Sequence, residues 1–72
     1  MQPELKTIRA LRKAKGMTQW DLALKLNVDQ AAVSNWERGI SRPLRKMMEP
    51  LAKALDVTVE ELSASLPGHP HN

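Results

Sequence analysis

Two helix-start signatures follow each other closely near the middle of this chain, and they constrain its fold more than any other feature. Thr18 is followed three residues later by Asp21, the spacing at which a hydroxyl and a carboxylate cap each other's backbone N–H groups. Asp29 is a second N-cap residue, and Asn27 between the two tolerates the left-handed conformation that ends a helix. Gly39 ends the second helix in the same way. The spacing therefore predicts two short helices joined by a tight turn, which is typical of a helix-turn-helix motif.

A proline lies within the next predicted helix. Apolar residues recur at helical spacing from Leu44 to Leu55, but this segment contains Pro50. Proline lacks a backbone N–H group, and its ring clashes with the carbonyl four residues earlier, here that of Lys46. The helix is therefore expected either to kink near Lys46 or to begin only near Met48, and we favour the late or kinked start.

The sequence predicts one further helix near each end of the chain. Apolar spacing predicts a first helix over about Glu4 to Lys15, and a capping box of Thr58 and Glu61 begins a fifth helix that reaches about residue 66. We expect one all-α domain over residues 1–66 and a disordered tail over residues 67–72.

Composition narrows the classes of function. Lys and Arg number 11 against 8 Asp and Glu, giving a formal net charge of +3, which suits a polyanionic partner. The absence of Cys excludes disulfides and thiolate metal sites and suits a reducing cytoplasm. No signal peptide is expected, because residues 1–15 mix charged and apolar side chains at helical spacing, and no membrane span is expected, because no apolar run is long enough.

No enzymatic or cofactor site is expected. The chain has no carboxylate pair, no nucleophile with a base and no Gly-rich phosphate loop, so we expect that it is not an enzyme. His69 and His71 could chelate a metal only weakly, because no third ligand accompanies them. We therefore expect neither a metal nor another cofactor.

The third predicted helix, over about residues 30–38, has two different faces. Val33, Trp36 and Glu37 share one arc. The opposite arc carries amide and small side chains, which suit the major groove because amides can bond adenine bidentately and an alanine methyl can contact the thymine methyl. A solvated polar face is the alternative interpretation. The residues of this arc are Gln30, Ala31, Ser34 and Asn35.

Two charged residues are expected on inward faces. Arg12 lies within the apolar arc of the first helix, and Glu37 lies within that of the third. Opposite charges on facing inner surfaces predict a structural salt bridge between them.

An apolar pair is expected on the outer face of the second helix. Trp20 and Leu24 are four residues apart and point away from the predicted core. Exposed apolar clusters often mark protein contacts. Alternatively, Trp20 folds over its own helix, or its indole N–H group reaches a phosphate.

Taken together, these motifs resemble the phage repressor, Cro and Xre-type helix-turn-helix regulators over roughly residues 5–62. The resemblance is carried by three runs of sequence: Lys15-Gly16-Met17-Thr18-Gln19, Val33-Ser34-Asn35-Trp36-Glu37-Arg38-Gly39 and Leu51-Ala52-Lys53-Ala54-Leu55. It implies a five-helix lambda-repressor-like DNA-binding domain, with the helix-turn-helix at helices 2 and 3.

The resemblance also implies roles for individual residues. Gln19 and three arginines are expected at backbone phosphates or the minor groove, the arginines being Arg38, Arg42 and Arg45. The base readers are expected to be Gln30, Ala31, Asn35 and, nearby, Ser34. The family has an Arg–Glu bridge at the positions of Arg12 and Glu37.

The expected function is that of a sequence-specific transcriptional regulator, acting as a repressor in a bacterial or phage-like cytoplasm at the nucleoid. The expected partner is double-stranded DNA with a pseudo-palindromic operator, bound by a homodimer with half-sites about one turn (~34 Å) apart. The expected dimer surface is the apolar C-terminal stretch of Val57, Val59, Leu62 and Leu66. The alternative is an antitoxin or adaptor that binds a protein partner through Trp20 and Leu24.

Overall fold

The computed structural model describes residues 7–66, which form five α-helices and, within that range, no strand. The helices are α1 (Ile8–Ala14), α2 (Gln19–Leu26), α3 (Gln30–Arg38), α4 (Arg45–Leu55) and α5 (Val59–Ser65). The all-α, five-helix prediction is therefore confirmed. The tail predicted over residues 67–72 lies outside the described residues, as do Glu4 and Leu5.

The first helix begins later than the sequence predicted. Thr7 has extended backbone angles, and its hydroxyl accepts a hydrogen bond from the backbone N–H of Ala10 at 3.1 Å. An N-cap residue of this kind ends the helix on its N-terminal side. The predicted start near Glu4 is therefore wrong, and α1 begins at Ile8.

The turn between α2 and α3 follows the predicted cap residues. Asn27 is left-handed, with φ of 59°, and Gly39 ends α3 with φ of 76°. Asp29 occupies the N-cap position of α3 with extended backbone angles, but its side chain makes no capping hydrogen bond. The start of α3 therefore lacks the side-chain cap that α2 has.

The fourth helix runs through its proline. It begins at Arg45 and includes Pro50, so the late start near Met48 is wrong. Pro50 lies in the second turn and removes only the hydrogen bond to the carbonyl of Lys46. Burial of the helix's inner face, which includes Leu51 and Leu55, offsets that loss.

One apolar core joins the helices. Its fully buried members come from all five helices, and they are Ile8, Leu22, Val33, Leu51, Leu55 and Leu62. Over residues 7–66, none of the helices is long and apolar enough to cross a membrane.

The core includes half of the predicted dimer surface. Leu62 is 0% exposed and Leu66 is 4% exposed, so neither can contact a second copy of the chain, and that part of the prediction is wrong. Val57 packs partly buried against the same core, and only Val59 is well exposed. The apolar face of α5 was needed to close the interior of a single chain, which is why it is not free.

Candidate nucleic-acid interface

A capping box fixes the start of α2 and thereby the position of Gln19. The backbone N–H of Thr18 donates to Asp21 Oδ2 at 2.9 Å, and the backbone N–H of Asp21 donates to Thr18 Oγ1 at 3.0 Å. The hydrogen bond from the Thr18 backbone lowers the pKa of the Asp21 carboxyl, with a further contribution from the Thr18 hydroxyl. Gln19 is the first residue of the helix that this box begins.

The outer arc of α3 carries the four residues that the sequence singled out as base readers. Ala31 is exposed, while Gln30, Ser34 and Asn35 are partly exposed. Val33 and Trp36 anchor the opposite arc in the core. The structure therefore presents the four side chains on the accessible side of one helix, with Gln30 at its first position.

Two glutamines link the starts of α2 and α3. The amide nitrogen Nε2 of Gln30 donates to Gln19 Oε1 at 2.5 Å, and Nε2 of Gln19 donates to Glu37 Oε1 at 2.9 Å. Sequence reasoning missed this connection, although both glutamines are the first residues of their helices. The relative position of the two helices cannot be read from spacing along the chain.

Glu37 also forms an ion pair with Arg12 beneath the two glutamines. Arg12 Nε donates to Glu37 Oε2 at 2.6 Å, and Nη2 donates to Oε1 at 3.2 Å. Arg12 Nη1 donates to the main-chain carbonyl of Met17 at 2.8 Å. The two side chains are only 8% and 5% exposed, so water competes little for these hydrogen bonds.

The surroundings of Glu37 keep its carboxylate ionised. Burial raises the pKa of the Glu37 carboxyl, but hydrogen bonds from Arg12 and Gln19, together with the charge of Arg12, outweigh burial. The net effect is a pKa below the ordinary value. Glu37 therefore acts as a hydrogen-bond acceptor at neutral pH.

The three arginines predicted at the DNA backbone are all exposed. Arg38 lies in the last turn of α3, and Arg42 and Arg45 flank the start of α4. Arg42 and Arg45 line one open groove together with Pro43 and Val59.

Trp20 and Leu24 are the most exposed large apolar side chains in the described part of the chain, at 67% and 78%. They border a shallow groove that also includes Gln30 and Ala31, so this patch adjoins the outer arc of α3. Ile40 and Leu44, which the sequence analysis did not single out, are 60% and 64% exposed in the segment before α4.

Within residues 7–66, no group of three or more His, Asp or Glu side chains lies close enough together to hold a metal ion. The two histidines considered as weak ligands, His69 and His71, lie outside this range.

Comparison with known proteins shows which family the sequence of this chain matches. A protein-family model described as helix-turn-helix matches residues 8–62. The HTH-type transcriptional activator BcrR of Enterococcus faecalis is 36% identical over 55 residues, which cover 76% of this chain and 27% of that protein. The chain thus matches about a quarter of its relative's length. No solved structure gives a significant match.

Proposed function

The chain belongs to the Xre-type helix-turn-helix family of DNA-binding transcriptional regulators, and from this premise we propose that it is a sequence-specific repressor that reads the major groove with α3. The observation that carries the proposal is the Gln30–Gln19 hydrogen bond at the start of α3. It holds the amide of the partly exposed Gln30 at the start of the helix and uses only one of its two N–H groups. A preorganised amide loses less conformational entropy when it binds a base.

The outer arc of α3 supplies base contacts in this proposal. Gln30 and Asn35 offer amides that match the donor and acceptor of adenine in the major groove. Ala31 offers a methyl group for thymine, and Ser34 can bond to either purine or pyrimidine edges. The absence of long charged side chains on this arc allows the helix to approach the base edges closely.

Backbone phosphates supply most of the affinity. Gln19 uses one amide hydrogen for Glu37 and has a second one to donate to a phosphate beside the positive end of α2. Three exposed arginines add charge contacts, namely Arg38, Arg42 and Arg45.

A homodimer on a pseudo-palindromic operator completes the proposal, because one small domain buries too little surface for tight specific binding. The exposed apolar side chains of Leu44 and Val59 are the best candidates for the twofold contact. Leu44 lies between two residues, Pro43 and Arg45, that line the same groove as Val59. We expect Val59→Glu to lower the dimer fraction in sedimentation without changing the helical content, whereas Thr58→Ser should leave both unchanged.

Fluorescence anisotropy titrations test the division of roles. Arg42→Ala should weaken binding to all duplexes alike and reduce the slope of log affinity against log salt by about 1, whereas Gln30→Ala should relax specificity at one base pair by ~1–3 kcal/mol. The reverse assignment would refute the proposal. Because BcrR is named an activator, a reporter gene under the selected operator is needed to test repression, and a rise in expression would overturn that part.

A second candidate function rests on the exposure of Trp20 and Leu24. In this alternative the chain is an antitoxin or adaptor module that binds a protein through this patch, and DNA binding is secondary. Trp20→Ala with unchanged DNA affinity and unchanged reporter output would speak against it. Loss of reporter output with intact DNA affinity would favour it.

A further inference from the structure

Two hydrogen bonds connect Gln30, Gln19 and Glu37 in a hydrogen-bonded chain that runs in a fixed direction. Glu37 Oε1 accepts from Gln19 Nε2 at 2.9 Å, and Gln19 Oε1 accepts from Gln30 Nε2 at 2.5 Å. Each amide has a donor end and an acceptor end and can be turned either way round, but an ionised carboxylate can only accept. Glu37 is therefore the one group in this hydrogen-bonded chain that sets the direction in which its hydrogen bonds run.

The orientation of each side chain fixes the orientation of the next. Because Glu37 only accepts, Gln19 must turn its NH₂ group inward, and its oxygen then faces Gln30. Because that oxygen only accepts, Gln30 must turn its own NH₂ group toward Gln19. Gln30 is left with its oxygen and its second N–H group for the outside.

We propose that Glu37 is a specificity-determining residue: by fixing the orientation of both amides, it makes Gln30 select adenine over guanine. The proposal rests on the proposed function, in which Gln30 reads a base. In the major groove adenine presents the N7 acceptor and the N6 donor, which match one N–H and one oxygen. Guanine presents two acceptors at N7 and O6, and these do not match the outward oxygen of Gln30.

The position of Glu37 suits this role. Its side chain is 5% exposed and has no direct access to a duplex, so its effect on a base must pass through Gln19. Arg12 donates two hydrogen bonds to the carboxylate and helps to keep it ionised, and its third hydrogen bond goes to the carbonyl of Met17 rather than to either glutamine. A replacement of Arg12 that keeps a positive charge beside the carboxylate should therefore affect stability without reversing the amides.

A neutral replacement of the same shape removes the direction. In Glu37→Gln the new amide can donate as well as accept, so the chain can also run the other way, with Gln30 turning its NH₂ group outward. That arrangement presents two donors, which suit guanine. A good bidentate contact discriminates between bases by about 5- to 150-fold, and we expect the preference for adenine over guanine to fall to within about threefold in Glu37→Gln.

The experiment selects bound duplexes from a random pool, followed by anisotropy titration of duplexes that carry adenine or guanine at the Gln30 position. Gln30→Ala identifies that base pair as the one where its preference is lost. Glu37→Gln should lose the preference at the same base pair and keep it elsewhere. Arg12→Lys is the matched control: it disturbs the same ion pair but keeps a positive charge beside the ionised carboxylate, so it should keep the preference for adenine.

Two further variants protect the test against misfolding. Arg12→Met combined with Glu37→Gln removes both buried charges together and should behave like Glu37→Gln. Gln19→Met removes the hydrogen-bonded link between Glu37 and Gln30 but leaves both members of the ion pair in place, so it should also lower the preference for adenine. Circular dichroism confirms that each variant is folded before its duplexes are compared.

The outcomes separate the inference from the function on which it rests. If Glu37→Gln and Gln19→Met keep the wild-type preference while Gln30→Ala loses it, the inference is overturned and base reading by Gln30 stands. If Arg12→Lys loses the preference as fully as Glu37→Gln, the inference is also overturned, because packing and not amide direction is then responsible. If the wild type selects no sequence, or Gln30→Ala changes nothing, the proposed function itself fails.

Discussion

Breaking the ion pair between Arg12 and Glu37 should destabilise the fold far more than removing an exposed charge. Arg12 is 7% exposed, and three of its hydrogen bonds go to Glu37 and to the carbonyl of Met17. In Glu37→Met the guanidinium retains only the bond to Met17 and stays buried. A buried charge without its partner costs about 3–5 kcal/mol of unfolding free energy.

This cost is large for so small a domain. At about 0.05–0.15 kcal/mol per residue, the roughly 60 described residues give a total stability of about 3–9 kcal/mol. Either single variant, Arg12→Met or Glu37→Met, should therefore leave the chain close to unfolding. In the double variant no buried charge remains, and the main losses are one hydrogen bond each for Gln19 and Met17, at about 1 kcal/mol per bond.

A double-mutant cycle measures the interaction. Urea unfolding followed by circular dichroism on the wild type, both single variants and the double variant should give a coupling energy of about 3 kcal/mol or more. The exposed pair of Lys15 and Asp56, at 3.7 Å, provides the internal comparison, and Lys15→Met should cost less than about 1 kcal/mol. A coupling energy below about 1 kcal/mol for Arg12 and Glu37 would refute the reasoning, since it would make them equivalent to a surface pair.

The same pair predicts a dependence on pH. The pKa of Glu37 is lower in the folded state than its ordinary value of 4.5, so the unfolded chain binds the proton more readily. The stabilisation is fully present above the ordinary pKa and is lost as the pH falls through the folded-state pKa. The urea midpoint should therefore fall more steeply on acidification in the wild type than in the double variant, and equal slopes would contradict this assignment.

Substitutions at three further positions address the helix ends and the proline. Asp56→Gly should raise the unfolding free energy by about 0.5–1 kcal/mol, because Asp56 has φ of 62°, and an unchanged thermal midpoint would contradict this. Asp29→Asn should tighten DNA binding by removing a negative charge beside α3, while the lost interaction with the helix dipole should cost about 0.3–1 kcal/mol of stability, and unchanged DNA affinity would contradict this. Pro50→Ala should restore the bond to the Lys46 carbonyl and raise the urea midpoint by the equivalent of about 1–2 kcal/mol, and a lower midpoint would show that the proline is favourable where it stands.

Helix ends were predictable from the sequence where the cap is local. Thr18 and Asp21 are three residues apart and form both hydrogen bonds of their box, as do Thr58 and Glu61. Such a signal needs no knowledge of the rest of the fold. The start of α1 was missed although Thr7 is a local cap of the same kind, because apolar spacing alone extended the helix too far.

Features that depend on how helices meet were not predictable. The spacing of Leu62 and Leu66 gave an apolar face but not what covers it, and the face turned out to close the core of its own chain. The start of α4 is a similar case, because the buried side of the helix outweighs the local effect of Pro50. Tertiary packing decided both outcomes.

The hydrogen-bonded chain of Glu37, Gln19 and Gln30 depends both on where α2 and α3 begin and on how they pack. Its members come from these two helices and meet only when the helices are packed. If Glu37 fixes the orientation of Gln30, fold stability and base preference share one carboxylate. Replacing Arg12 and Glu37 together by apolar residues should then cost much less stability than replacing either one alone, because no buried charge is left without its partner. The same replacement should still weaken the choice of adenine. A double variant that stays folded but has a less selective α3 would mean that the buried pair serves recognition as well as stability.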